Sequence, residues 1–214
     1  MRRLVLGLFL MTLFAPAAWA QTGKHFAIGG SLGFTKYVDS DFSSKNPGFG
    51  IAYRINLKPE GADGWKWAPK SGLGWATRDA SADIGGTSTH LGKLRTVLVM
   101  VGIQRAMRKG PWQLGMGVVA GPSFNSFKVA QSARDAYQSR LGRSLLGVDV
   151  KTSLAVRPEV SVWYDLGKMF GVQGSVGYLF DRPKTETSLP GETTTTTWTI
   201  DHASASLGLV VGLF

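Results

Sequence analysis

Residues 112–124, WQLGMGVVAGPSF, and 148–165, VDVKTSLAVRPEVSVWYD, carry the clearest pattern in the chain. In the first, Trp112, Leu114, Met116, Val118, Ala120 and Phe124 share one parity, and Gln113, Gly115, Gly117, Gly121 and Ser123 share the other. In the second, Val148, Val150, Leu154, Val156, Val160, Val162 and Tyr164 alternate with Asp149, Lys151, Ser153, Arg157, Glu159, Ser161 and Asp165. A period of two sends successive side chains to opposite faces, so each segment reads as a strand between two different environments. Alternation alone leaves those environments open, because a soluble sandwich also has one dry and one wet face.

The pattern continues on both sides. Phe26, Ile28, Gly30, Leu32 and Phe34 oppose Ala27, Gly29, Ser31, Gly33 and Thr35; Phe49, Ile51, Tyr53, Ile55 and Leu57 oppose Gly48, Gly50, Ala52, Arg54, Asn56 and Lys58. A weaker third segment sets Leu73, Trp75 and Thr77 against Gly72, Gly74, Ala76 and Arg78. Residues 93–107 are apolar on both faces at their centre, with Val97, Val99, Val101 and Ile103 assigned outward. Phe170, Val172, Val176, Tyr178 and Phe180 oppose Gln173, Ser175 and Gly177. The last segment starts at Trp198 and ends on Phe214, with Ala203, Ala205, Leu207, Leu209, Val211 and Leu213 on the apolar parity. Phe214 falls out of phase with them, which a bulge or a frayed terminus near Gly212 would correct.

The connectors separate the two readings. Arg108–Pro111 and Asp165–Met169 are tight turns, whereas Asp79–His90, Asn125–Gly147 and Asp181–Thr196 are long and polar. Only Pro59–Lys70, read as a turn, is longer than its place in this alternation predicts. Sorted connectors, an even strand count and both ends on one side describe an all-β, eight-stranded antiparallel up-and-down transmembrane barrel. Past the amino-terminal segment, the richest apolar run is Val97–Ile103, with Arg95 and Arg105 close on either side, too short for a spanning helix of about 20 residues. A membrane protein built from this chain must therefore cross with strands.

The amino terminus agrees. Arg2 and Arg3 precede the apolar run Leu4–Phe14, and Ala18-Trp19-Ala20 is a small-x-small cleavage site before Gln21. Residues 1–20 read as a signal peptide and 21–214 as one barrel domain. Cysteine is absent, which excludes disulfides, zinc-thiolate sites and cysteine catalysis. The formal charge of +10 includes Arg2 and Arg3 of the signal. Export argues against nucleic acid as the counter-charge and favours anionic headgroups or surface polysaccharide.

With the signal, eight alternating strands, sorted loops and terminal Phe214 in place, residues 21–214 resemble the small outer-membrane barrels of the OmpA transmembrane-domain and OmpX type. The resemblance is one of architecture. It implies residence in a Gram-negative outer membrane among lipid and lipopolysaccharide, insertion by the outer-membrane assembly machinery, and a monomer. Roles in such families range from anchoring to adhesion and lipid enzymology, so the fold alone does not fix the function. An anchoring role of the OmpA kind is not expected, since no peptidoglycan-binding segment follows the last strand.

An eight-stranded barrel is just wide enough for side chains to fill it. Parity places Arg54, Arg157 and Glu159 near mid-depth of the lumen and Asp149 and Lys151 toward its outer mouth. Paired interior charges read first as a structural plug and second as a narrow cation-lined passage for anions. His25, His90 and His202 are the only histidines. His202-Ala203-Ser204 has the His-x-Ser spacing of lipid A deacylase barrels, but His202 and Ser204 face the lumen here, where a membrane lipid is out of reach. No catalytic site, cofactor or metal is expected. Within 125–147, Val129, Ala133, Ala136, Tyr137 and Leu141 stand at helical spacing beside Lys128, Arg134, Arg140 and Arg143, which predicts a short helix with a basic face suited to lipopolysaccharide phosphates. The run Thr193–Thr197 reads as an exposed strand extending the final hairpin. The main functional expectation is a structural or surface-interaction role through the outer loops, ahead of a small pore and a lipid A-modifying enzyme.

Overall fold

The computed structural model describes residues 26–38, 41–43, 48–55, 64–166 and 170–213. Eight strands close a barrel: β1 (Phe26–Tyr37), β3 (Gly48–Ile55), β4 (Lys66–Asp83), β5 (Ser88–Lys109), β6 (Trp112–Val129), β8 (Ser153–Asp165), β9 (Phe170–Asp181) and β12 (His202–Leu213). Each pairs antiparallel with its neighbours in chain order. Closure comes from β12 lying against β1, in continuous register from Phe26 opposite Leu213 to Tyr37 opposite His202. Every strand thereby gains two partners, which is what backbone amides require where no water can serve them.

The alternation reads directly as inside and outside. Leu209 is 70% exposed while Val210 beside it is 2% exposed. Leu32, Phe34, Ile51, Val101, Ile103, Met116, Val118, Val160, Val176 and Leu207 likewise lie open on the outer wall. In water such a belt would be costly; against acyl chains it is the expected surface of a transmembrane barrel. Aromatic rings rim both edges. At one edge Trp112 packs on its cross-strand partner Tyr164 with centroids 4.5 Å apart, and Trp67 and Phe170 are exposed. At the other, Phe49 stacks on Trp75 at 5.7 Å and Tyr178 meets Phe180 at 4.7 Å.

The end with the tight turns carries Gly110, whose φ of 58° closes the β5–β6 connection. The opposite, loop end is far more built than polar connectors suggest. β4 and β5 run 18 and 22 residues, against the roughly 9–11 needed to cross a bilayer, and their surplus rises as a hairpin to Asp83 opposite Ser88. The segment 79–90 is thus strand on either side of a short bend at 84–87 rather than a long loop, and Lys66–Lys70 is the start of β4 rather than part of a turn. The short β2 (Phe42–Ser43) adds to β4. A separate three-stranded sheet is made by β7 (Gly147–Val150), β10 (Lys184–Leu189) and β11 (Glu192–Thr197).

The helix α1 (Gln131–Leu141) forms where its spacing predicted. No side chain caps its start, and Gly142 at φ 64° ends it. Packing holds it: Ala133 and Ala136 are buried, Ser132 bonds the His90 carbonyl, and Arg140 donates to the Ile84 carbonyl at 3.1 Å. Beneath α1 and the small sheet lies an apolar cluster of Phe42, Leu91, Leu94, Leu145, Val148, Val150 and Ile200. Trp198 meets Phe42 and Phe127 edge-on at 5.4 and 5.3 Å. Members come from β4 and β5 on one wall and from Ile200, before β12, on the other, so the cluster packs across the barrel mouth.

The single strand expected over 148–165 is also corrected. Residues 148–165 are not a single strand: β7 stops at Val150 and joins β10, while β8 starts at Ser153 in the barrel wall. The break reverses the faces of 148–151, so that Val148 and Val150 turn into the apolar cluster and Asp149 is exposed.

Candidate functional site

The lumen carries its charges in tiers. At mid-depth Arg157 and Glu159, two residues apart on the inward face of β8, pair through Nη2 and Oε2 at 2.7 Å. Lys70 of β4 reaches across from the far wall to the other Glu159 oxygen and also approaches Ser161 Oγ at 3.4 Å. The Glu159 side chain is 3% exposed, so it holds two cations where water hardly reaches. Gly177 makes the room: a Cβ there would stand 2.9 Å from Glu159 Cβ. Of the residues expected in this network, Arg157 and Glu159 come together. The Arg54 side chain lies outside the described residues, although its backbone, in β3, pairs with Ala27 of β1.

Lys151 does not join them. It stands at the small sheet, bonded to Asp149 at 2.7 Å and Glu186 at 2.8 Å. The hydrogen bonds it donates to the Asp149 carboxylate, and then to that of Glu186, hold its ammonium protonated well above the ordinary lysine range. The sequence reading missed Lys70, hidden by its assignment to a turn beside Pro69, and did not single out Arg78.

Arg78 sits on the inward face of β4, above the mid-depth pair and 2% exposed. Its guanidinium lies 5.4 Å from the Tyr37 ring centroid, and the Tyr37 ring is 5.0 Å from that of His202. A cavity of about 140 Å³ runs past Lys70, Arg78, Arg157, Glu159 and His202. The His202–Ser204 pair does face this lumen. The two side chains bond elsewhere, however: His202 Nδ1 lies 2.9 Å from the Ile200 carbonyl, and Ser204 donates to the Gly177 carbonyl at 3.4 Å. Asp201 is spent on Arg182 at 3.0 Å and on the Asp181 amide at 2.9 Å. This arrangement does not assemble the nucleophile, base and orienting acid of an acyl-transfer relay.

The loop end offers a different surface. All six residues of β11 are exposed, and among the described residues β11 pairs only with β10, so one full row of its backbone donors and acceptors faces outward. Arg143 clamps Glu192 at the start of β11 at 3.0 Å, and Arg140 is committed to Ile84 and Thr89. Lys128 and Arg134 remain exposed, as do Lys93 and Arg95 on the outer face of β5 just above Val97 and the apolar belt.

The sequence matches no family model and no curated protein. Among solved structures, the chain is similar to the outer membrane protein OprG from Pseudomonas aeruginosa, at 15% identity over 89% of this chain and 96% of that one with a TM-score of 0.69. It is also similar to a major outer membrane protein from Thermus thermophilus, at 14% identity, 89% and 100% coverage and a TM-score of 0.54. The outer membrane protein AlkL, determined in lipid bilayers, matches at 14% identity, 89% and 90% coverage and a TM-score of 0.53. At such identities the likeness is one of fold, and the fold is that of the small eight-stranded outer-membrane β-barrels.

Proposed function

We propose that this chain is an integral protein of a Gram-negative-type outer membrane, exported with residues 1–20 as its signal peptide, whose loop end faces the exterior and binds an extended segment of a partner along β11. The observation that carries this reading is the wholly exposed β11 edge, mounted on a sheet whose Val148 and Val150 belong to the apolar cluster beneath. A bare edge strand is a template for pairing with another chain, and a rigid mount removes much of the ordering cost of doing so. Lys93, Arg95, Lys128 and Arg134 supply cations at the height where lipopolysaccharide phosphates lie, which supports both the orientation and those lipids as neighbours. Insertion follows the route of the fold, through the assembly machinery, as a monomer.

The lumen supports a conducting role less well, because Lys70, Glu159 and Arg157 bridge it at mid-depth beneath a mouth packed with apolar side chains. Extended peptides displayed on phage and panned against the protein in nanodiscs test the reading. Binders are expected that are lost when β11 is interrupted by Thr195→Pro. Equal recovery on the variant, or stepwise conductance in planar bilayers with no peptide binding, would overturn it.

A further inference from the structure

Two guanidiniums of the described lumen are incompletely hydrogen-bonded, Arg78 more so: its Nε and Nη1 are buried and meet no partner among the described residues. Arg157 Nε is in the same condition, although its Nη2 holds Glu159. A guanidinium is charged at any physiological pH, so burial cannot be relieved by losing a proton.

The acids nearby do not answer it. Glu159 is divided between Lys70 and Arg157. Asp181 is the acid whose charge Arg78 feels, yet its two carboxylate oxygens accept from Ser123 and Ser153. Asp201 is bound by Arg182. Among the described residues the lumen therefore holds three cations, Lys70, Arg78 and Arg157, against two acids, Glu159 and Asp181. Lys70, Arg78 and Arg157 all line the cavity of about 140 Å³, together with His202. Water can satisfy an N–H donor but leaves the surplus charge, in a compartment roofed by Leu94 and Ile200, each 0% exposed.

We propose that the upper lumen is a binding site for a small tetrahedral oxyanion of the phosphate or sulfate class, held by the Arg78 guanidinium with Arg157 alongside. Guanidinium donors match such an anion in geometry and charge, and the anion would complete the charge balance of the barrel interior. The site is independent of the β11 edge, from which the apolar cluster separates it.

The test uses the full mature chain, ¹⁵N-labelled and folded in detergent micelles, with inorganic phosphate exchanged for chloride at constant ionic strength. The Arg78 Nε–H resonance is expected to shift saturably with phosphate, and the thermal midpoint to climb with the logarithm of phosphate concentration beyond saturation. Arg78→Met should abolish that dependence. A shift that grows linearly without saturating, or that chloride reproduces, would show no site selective for a tetrahedral oxyanion and overturn the proposal. So would an Arg78→Met protein whose midpoint still follows phosphate. Should Arg78→Met fail to fold, the wild-type resonance titration decides.

Discussion

Glu159 concentrates the residue-scale account. It is the acid between two interior cations, and removing its charge strands both. Breaking a buried pair by deleting one partner costs about 3–5 kcal/mol, so Glu159→Gln should lower urea stability in micelles by that order. Lys70→Met should cost clearly less, because the 2.7 Å Arg157 pair remains whole. Equal losses for the two would contradict the shared-acid geometry. Gly177→Val should cost at least as much as Glu159→Gln, since even its Cβ would stand 2.8 Å from the Pro158 carbonyl oxygen and 2.9 Å from Glu159 Cβ, and the wall of β8 would have to shift. Parity alone placed Arg157 and Glu159 on the inner face, because a β-strand fixes side-chain direction whatever its partner strands are. It could not find Lys70, since Pro69 reads as a breaker; in β4 that proline faces outward and the strand passes through it. Lys151 went astray for a different reason. The break at 151–152 starts a new strand, and parity does not survive a break.

At the scale of elements, the apolar cluster under α1 explains why the loop end has one defined form. Leu94 is fully buried there, and Leu94→Ala should cost roughly 2–5 kcal/mol of local stability. The expected readout is faster amide exchange across α1, β7 and the tip of the β4–β5 hairpin, with the strands of the lipid belt still protected. Uniform loss of protection would mean that barrel and cap unfold as one unit. α1 was legible because alanines and aromatics at helical spacing are a local signal. The small sheet and the cap were not, because Phe42, Leu94 and Ile200 stand between polar neighbours and lie far apart in the chain from each other and from Leu145, and only the closed barrel brings them together. The threonines of β11 were read correctly as an exposed strand, while their mounting on β7 depends on a pairing between distant segments that no local pattern encodes.

For the whole molecule, the sequence's period of two and its sorted connectors were enough to give eight strands and closure, because an up-and-down barrel is built from neighbours in sequence and both cues are local. The heights of the strands above the membrane were not legible: the surplus length of β4 and β5 lies in polar segments that look like loops. One face of every barrel strand meets lipid. Since the chain has no cysteine, single cysteines can be placed along β12 from Ala203 to Val211 in the protein reconstituted in bilayers and tagged with a nitroxide. Collision with dissolved oxygen is expected to alternate residue by residue, high at 203, 205, 207, 209 and 211 and low between them. A profile without that period of two, or one in which the odd positions collide instead with a water-soluble paramagnetic reagent, would contradict it.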